Sequence, residues 1–191
     1  MKHRPALLVL LLSLSLSSLK AQDPIPPPNP GLVLNIVAGH SFDFTFDEIT
    51  EYQDGITNGG PTYIRIGAIY DWKLQFNADQ LTFISPTGNT MELNNLGVTI
   101  SSTGTNTEFN GHLTNDATVA VGLEYDPVTL LTPGVLTNKG YGIENSFILY
   151  WHMGIAQGTM NPSSIFDQMV SGVLEADDYT VTVILTLSVY P

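Results

Sequence analysis

The residues of this chain that could act in catalysis or ligand binding are its carboxylates, three histidines beyond the N-terminal segment and two tryptophans. Its 191 residues include no cysteine. The absence of cysteine excludes disulfide scaffolds, cysteine-ligated zinc, iron–sulfur clusters and thiol catalysis. The sequence also lacks a G-x-S-x-G nucleophile elbow, a Walker A loop and an H-E-x-x-H zinc helix. We therefore predict no catalytic, cofactor-binding or metal-ligating residues, and we interpret the protein as a non-enzyme.

The acidic stretch between residues 43 and 54 is the best candidate for binding a hard cation, since Ca²⁺ takes several oxygen ligands from a flexible loop. Its members are Asp43, Asp47, Glu48, Glu51 and Asp54, and their spacing differs from that of an EF-hand. Asp43 and Asp47 also alternate with phenylalanines. We therefore favour the alternative that these two carboxylates form the solvent face of a strand.

Histidines and tryptophans are the other candidates for contacts with a ligand. His40, His112 and His152 are far apart in the sequence, so we expect ordinary surface or strand positions for them. Trp72 and Trp151 have flat faces that could stack on sugars. Because Trp72 shares an apolar face with its neighbours, and Trp151 lies in a segment that is apolar on both faces, we predict core packing for both, with Trp151 in a central strand.

Residues 1–21 have the organisation of a secretory signal, with a basic start, a Leu/Ser-rich run over 6–19 and the small residue Ala21 before Gln22. The apolar run is shorter than the roughly 20 residues that span a bilayer, and serines interrupt it, so a membrane anchor is the less favoured alternative. We predict a secreted, periplasmic or cell-surface bacterial protein. Residues 22–31 contain five prolines and are predicted to form a semi-rigid spacer.

The charge balance limits the possible partners. Only 13% of residues are charged, against about 25% in a typical soluble domain, and the net charge is −12. Cleavage after Ala21 would remove three of the six basic residues and leave 170 residues with a net charge of −15. This charge disfavours binding to nucleic acid or anionic lipid. The remaining length fits a single domain over residues 32–191.

A period of two dominates the sequence from residue 32 onwards and predicts many short strands separated by Gly, Pro and Asn turns. The fold class that we predict is all-β, an antiparallel Ig-like β-sandwich of about 8–10 strands. The candidate strands are 32–38, 41–48, 63–68, 70–77, 81–84, 91–100, 108–113, 117–124, 146–155 and 179–189. In 41–48, Phe42, Phe44 and Phe46 share one face. Residues 63–68 are predicted to continue through a bend at Gly67 into 70–77, whose inward residues are Tyr70, Trp72, Leu74 and Phe76.

Two segments depart from the strand pattern. A capping box that begins at Ser164, followed by apolar residues at helical spacing, predicts one short helix at an end of the sandwich; those apolar residues are Ile165, Phe166, Met169 and Val170. Residues 125–145 are the longest predicted connection. Long loops on rigid scaffolds commonly carry binding surfaces, and a plain hairpin excursion is the alternative.

Four pieces of the sequence carry a resemblance to known proteins: the signal ending Ala21-Gln22, the Phe42-x-Phe44-x-Phe46 pattern followed by residues 49–56, Trp72-Lys73-Leu74, and residues 176–183. These pieces resemble exported pilin-like and adhesin-like β-sandwich proteins of Gram-negative bacteria. The last piece is similar to the G-x-Y-x-x-x-V entry into the final strand of such domains, with Asp177 in place of the common Gly, which leaves the type of the preceding turn open. The resemblance implies a structural or cell-surface role and no catalysis.

We therefore predict an exported, non-enzymatic cell-surface or filament-type subunit with a structural or adhesive role. The alternatives are a small carbohydrate-binding module that uses residues 125–145 and a secreted glycosidase that works through two carboxylates. The expected partners are further copies of the chain, other surface proteins or carbohydrate, with no membrane span after signal cleavage. Residues 32–38 are either the first strand of a self-complete sandwich or a strand donated to a neighbouring subunit.

Overall fold

A computed structural model describes residues 31–191, so the predicted signal and residues 22–30 of the predicted spacer lie outside the described residues. The described part contains two short α-helices, α1 (Ile49–Asp54) and α2 (Ile165–Val170), and one turn of 3-10 helix at Leu93–Asn95. It also contains eleven strands: β1 (Leu32–Ala38), β2 (Pro61–Ala68), β3 (Trp72–Ala78), β4 (Phe83–Ile84), β5 (Thr90–Met91), β6 (Leu96–Ser102), β7 (Leu113–Asn115), β8 (Val121–Gly122), β9 (Val128–Pro133), β10 (Ser146–Met153) and β11 (Val183–Val189).

These strands form two main sheets and one small hairpin. The five-stranded sheet has the order β1-β2-β10-β6-β8, the four-stranded sheet has the order β11-β3-β9-β7, and β4 pairs with β5. All the described strand pairs are antiparallel. The predicted antiparallel all-β sandwich is therefore confirmed, while the more specific Ig-like topology stays a prediction.

One hydrophobic core lies between the two sheets, and side chains from both contribute to it. Strand β3 buries Trp72, Leu74 and Phe76, as its alternation predicts. The Trp72 indole meets the Phe147 ring of β10 edge to face, with the ring centroids 5.9 Å apart. Trp151 also lies in the core, on the central strand β10. On the other face of β10, Ser146, Ile148 and Tyr150 are half-buried and His152 is buried, so this segment, which is apolar on both faces, is covered fully on one face and partly on the other.

The predicted single strand bent at Gly67 is wrong. Strands β2 and β3 belong to different sheets, and the chain crosses between them at residues 69–71. Gly67 pairs regularly with Val33 in β1. The Asp71 carboxylate holds the corner by accepting hydrogen bonds from the Thr137 hydroxyl and the Asn138 N–H. Tyr70, predicted to point inward, is exposed because it lies in this corner.

The helix prediction near the C-terminal third is confirmed, and a second helix was missed. Ser164 caps α2, because its hydroxyl accepts a hydrogen bond of 3.0 Å from the Asp167 N–H. The buried face of α2 includes Gln168, whereas Val170, which was assigned to the apolar stripe, is exposed. Helix α1 begins within the acidic stretch, where Glu48 and Glu51 form a capping box.

The predicted loop over residues 125–145 is also corrected, because strand β9 occupies its first half. The remaining connection, 134–145, is held to the sandwich by buried asparagines. The Asn138 side chain bonds the backbone N–H and C=O of Trp72, and Asn145 donates to the Asn138 carbonyl. Strand β9 has the sequence Val-Thr-Leu-Leu-Thr-Pro, which lacks a period of two and ends in a proline followed by Gly134, so the sequence pattern did not indicate a strand there.

Candidate functional site

A groove of about 1090 Å³ opens on one side of the sandwich, and we call it the edge groove. Its N-terminal wall is residues 39–46, which follow β1, and its C-terminal wall is residues 174–185, which lead into β11. Strands β1 and β11 are the edge strands of the two main sheets. The groove therefore lies where the described sandwich is not closed by strand pairing.

The N-terminal wall leaves the five-stranded sheet through a bulge and a glycine. The pairing of β1 with β2 shifts register between Ile36 and Ala38, and Gly39 then adopts φ +76°, a conformation that side chains rarely allow. The Thr62 hydroxyl donates to the Gly39 carbonyl at 2.7 Å and accepts a hydrogen bond from the Trp151 indole at 2.9 Å. These bonds fix the point at which the wall departs from the sheet.

Three phenylalanines of this wall point toward the core and are half-buried, whereas the residues between them are exposed. The ring of Phe42 stacks on Trp151 with the centroids 4.6 Å apart, and Phe44 meets Phe42 edge to face at 5.8 Å. A Cβ at Gly59 would lie 2.1 Å from the Phe44 ring, so a larger residue there would displace that ring. The predicted inward face of Phe42, Phe44 and Phe46 is confirmed, but the segment is extended chain outside any ladder, so the predicted strand 41–48 is wrong.

The C-terminal wall repeats this alternation. Tyr179, Val181, Val183 and Leu185 are half-buried, and the residues between them are exposed. Val183 and Leu185 begin β11, whose predicted apolar face is thereby confirmed, except that Val189 at its end is exposed. Between the walls, the groove reaches buried apolar side chains of the core, including Leu96, Met153 and Ile165.

The backbone of both walls carries hydrogen-bonding groups with no partner among residues 31–191. No backbone N–H or C=O of residues 40–46 bonds to another described residue. In the C-terminal wall, Thr180 bonds to Ile84 and Thr182 bonds to Asp79, so their partners lie on the sheet side. Because adjacent residues of an extended chain direct these groups to opposite edges, those of Val181 and Val183 are directed toward the open edge.

Carboxylates lie on both walls, and no lysine or arginine lines the groove in the described part of the chain. Asp43 belongs to the N-terminal wall, whereas Glu175, Asp177 and Asp178 belong to the C-terminal wall. Hydrogen bonds from the hydroxyls of Thr87 and Ser85 and from the Asp178 N–H lower the pKa of Asp177 to about 2. Asp177 thus stays ionised and ties the C-terminal wall to the turn between β4 and β5, a role that a glycine at this position could not have.

Tyr179 anchors the start of the same wall. Its hydroxyl donates a hydrogen bond of 2.7 Å to the Glu175 carbonyl. Burial, together with the nearby carboxylates of Asp177 and Glu175, raises the pKa of Tyr179. The phenol therefore stays neutral and keeps its hydrogen bond at physiological pH.

The acidic stretch does not come together as a cation site. Glu51 accepts hydrogen bonds from the backbone N–H groups of Asp47 and Glu48, at 2.6 and 3.1 Å, and so caps α1. Asp43 and Asp47 are exposed, as the strand-face interpretation predicts. Across residues 31–191, no group of three or more His, Asp or Glu side chains is placed to hold a metal ion.

The three histidines lie in three different places. His40 is exposed and lines the edge groove, and His112 contacts the Thr137 carbonyl at the loops following β6 and β9. His152 is buried in β10, where Nε2 lies 2.9 Å from the Thr99 hydroxyl and Nδ1 has no hydrogen-bond partner among the described residues. Burial lowers the pKa of His152.

Both tryptophans are unavailable for stacking on a sugar, since Trp72 and Trp151 are 0% and 2% exposed. Exposed aromatic and aliphatic side chains occur instead on the loops after β6 and β9, where Phe109 and Val135 are 93% and 92% exposed. Tyr141, in the shortened loop 134–145, is also exposed.

Comparison with known proteins gives no relative from which a function could be transferred. No protein-family model matches the chain, and a search of curated proteins gives no match. Within residues 31–191, no helix is long and apolar enough to span a bilayer.

Proposed function

We propose that this protein is an exported, non-enzymatic subunit of the cell surface or of a surface filament, and that it joins another polypeptide by accepting an extended strand in the edge groove. The observation that carries the proposal is the pair of extended walls with unpaired backbone groups above an apolar floor. Sheet edges of this kind are templates for pairing with another chain.

A peptide strand suits this groove better than a small apolar ligand does. The volume of about 1090 Å³ is at the upper limit of ordinary ligand pockets, which span about 300–1,000 Å³. A hydrocarbon ligand would cover the apolar floor but would leave the backbone donors and acceptors of both walls without partners. Such groups are costly to bury unpaired. An added strand supplies both main-chain hydrogen bonds and apolar side chains.

A carbohydrate-binding module could not use Trp72 or Trp151 to stack on a sugar, because both are buried in the core. It would depend on exposed tyrosines such as Tyr141 in the loop after β9. The two exposed tyrosines of residues 125–145, Tyr125 and Tyr141, each offer one stacking face, and neither lines the edge groove. The edge groove therefore supports the subunit proposal more directly than the loop supports a sugar-binding module.

Binding of a test peptide to the protein can measure strand uptake. The probe is a capped peptide of about nine residues, alternating valine and threonine with a lysine at each end, which spans about 30 Å when extended. Because the chain contains no cysteine, Thr45→Cys gives one labelling site for a fluorophore on the N-terminal wall. Thr118→Cys, also exposed but next to β8 at the opposite edge of the five-stranded sheet, is the matched control.

We expect saturable binding that changes the fluorescence of the label at residue 45 and leaves that at residue 118 unchanged. The same peptide with every backbone nitrogen methylated has no N–H donor on either edge, so it cannot form the ladder and its binding should be lost. Equal binding of the methylated peptide, or an equal response at both labels, would contradict strand uptake at the edge groove.

A further inference from the structure

The two walls specify the pattern of side chains that an added strand must have. Along the C-terminal wall, half-buried residues recur at every second position from Tyr179 to Leu185. This wall is about 20 Å long at the rise of a β-strand. A strand lying beside it directs every second side chain into the same apolar floor. The occupant therefore carries about three or four apolar residues in alternation.

The carboxylates of the two walls further restrict which strand can bind in the edge groove. Asp43 stands on one wall, and Glu175, Asp177 and Asp178 stand on the other. Asp177 remains ionised because its pKa is about 2. No cationic Lys or Arg among the lining residues offsets these carboxylates in the described structure. An acidic strand would meet repulsion from both walls, whereas a strand with basic residues at the ends of its apolar run would be attracted to both.

The chain itself has no suitable basic strand to offer after the predicted cleavage. Its three basic residues beyond residue 21 are Arg65, Lys73 and Lys139. Arg65 lies in β2, which pairs on both sides with β1 and β10, and Lys73 lies in β3, which pairs with β11 and β9. Lys139 is 3.8 Å from the Asp71 carboxylate in the loop after β9. Donating β2 or β3 would dismantle a sheet, and the loop that carries Lys139 is not a strand and is held to the sandwich through Asn138.

We propose that the edge groove selects a basic strand from a different polypeptide, one with alternating apolar residues flanked by lysine or arginine, and that a second copy of this chain is not the donor. This inference rests on the proposed function, because it presupposes that a strand enters the groove. It adds the chemistry of the partner and predicts that assembly is heterotypic.

Charge-matched peptides test the selection separately from strand uptake. Three peptides share the alternating valine and threonine core and differ only at their two end residues, which are lysine, glutamine or glutamate. Binding is measured with the label at residue 45, at low ionic strength and again at about 0.5 M salt, where charge interactions are strongly screened. The protein variant is Glu175→Gln with Asp178→Asn, both exposed residues of the C-terminal wall. Asp177 is left intact because it holds the wall in place.

The matched control variant is Glu124→Gln with Asp126→Asn, which removes the same two charges from exposed positions between β8 and β9. We expect the lysine peptide to bind the unaltered groove about three- to tenfold more tightly than the glutamine peptide at low salt, and the glutamate peptide to bind most weakly. The preference for lysine should shrink at high salt and in the wall variant, and it should persist in the control variant.

Equal affinity of the lysine and glutamine peptides would overturn the charge selection while leaving strand uptake intact. A preference for lysine that the control variant weakens as much as the wall variant would show a general effect of net charge, and would also overturn the selection. If none of the three peptides binds, strand uptake itself is wrong and the charge selection falls with it.

Discussion

At the scale of single residues, Trp72 links the core to the loop after β9. Its indole is fully buried and donates a hydrogen bond of 2.8 Å to the Asn138 carbonyl. We expect Trp72→Ala to lower the free energy of unfolding by about 3–5 kcal/mol, because a large ring and its contacts are lost. Urea denaturation measures this change. Tyr70→Ala, two residues away at an exposed position, should change stability by less than about 0.5 kcal/mol.

An unchanged midpoint for Trp72→Ala would show that the ring contributes nothing to the core. If that variant also lost binding to a glycan array, the carbohydrate-binding alternative would take first place. The burial of the ring makes the opposite result the expected one.

His152 should make the stability of the sandwich depend on pH. Because burial lowers its pKa in the folded state, the unfolded chain takes up a proton first as the pH falls. Stability is therefore full above the unfolded pKa of about 6.5 and decreases as the pH falls below that value. The carboxyl of Asp177 titrates much lower, with a folded pKa of about 2, so its contribution is lost only below about pH 4.

Urea midpoints between about pH 8 and about pH 5 test this expectation. We expect the midpoint to fall over this range in the unaltered protein, and His152→Gln, which keeps a polar side chain near Thr99 without titrating, to flatten the profile. A profile in His152→Gln that is as steep as in the unaltered protein would assign the pH dependence to other groups.

At the scale of elements, the alternation of apolar residues predicted the faces of the strands well and their pairing poorly. The inward residues of β3 and β11 could be read from a period of two, because that period directly sets which face is buried. The break at residues 69–71 could not be read in the same way, since both strands beside it bury apolar faces and only the contacts of Asp71 fix the corner. Strand β9 was missed because its threonines and proline resemble turn chemistry.

The candidate site was predictable in its parts and not as a whole. Phe42, Phe44 and Phe46 and the alternating residues from Tyr179 were both identified from sequence as inward faces. Their meeting across an open edge depends on contacts between residues more than a hundred positions apart, which periodicity does not encode. A local signal was nevertheless present at Gly39, which precedes the segment and has a positive φ of +76°, a conformation that favours glycine.

Deleting strand β1 would show whether it belongs to the chain's own sandwich or is donated to a neighbouring subunit. In the structure β1 pairs with β2 of the same chain from Leu32 to Ala38, and Leu34 and Ile36 pack against the core. We expect deletion of residues 22–38 from the mature chain to abolish cooperative unfolding, because one edge of β2 and part of the core are then uncovered. Deletion of residues 22–30 alone should leave the unfolding transition intact.

Circular dichroism and light scattering of the two deletions give the decisive readout. Donation of β1 to a neighbouring subunit stays a prediction from sequence, and it requires the chain lacking residues 22–38 to fold while the oligomers of the mature chain disappear. Unfolding of that variant, together with a mature chain that is monomeric at all concentrations, would exclude donation. That combination is the one expected if the partner strand comes from another polypeptide.

At the scale of the whole molecule, the predicted signal sequence bears on the net charge that the mature protein would carry. Residues 1–21 lie outside the described residues, and their interpretation as a signal depends on a short, serine-interrupted apolar run between a basic start and Ala21. Removing this segment takes away Lys2, Arg4 and Lys20 and leaves a net charge of −15. The domain then carries 18 acidic against three basic residues, a balance that favours a basic partner and disfavours contact with another copy.

We expect the exported protein to begin at Gln22, because Ala21 is the small residue that a signal peptidase requires before the cleaved bond. Intact-mass measurement of material recovered from the periplasm or medium of an expressing bacterium checks this, with loss of residues 1–21 as the expected result. Ala21→Pro, which blocks cleavage at that bond, should leave the precursor uncut in the membrane fraction and serves as the control. Recovery of the unaltered chain in the membrane with Lys2 to Lys20 still attached would refute the signal assignment, and with it the compartment in which a surface subunit must work.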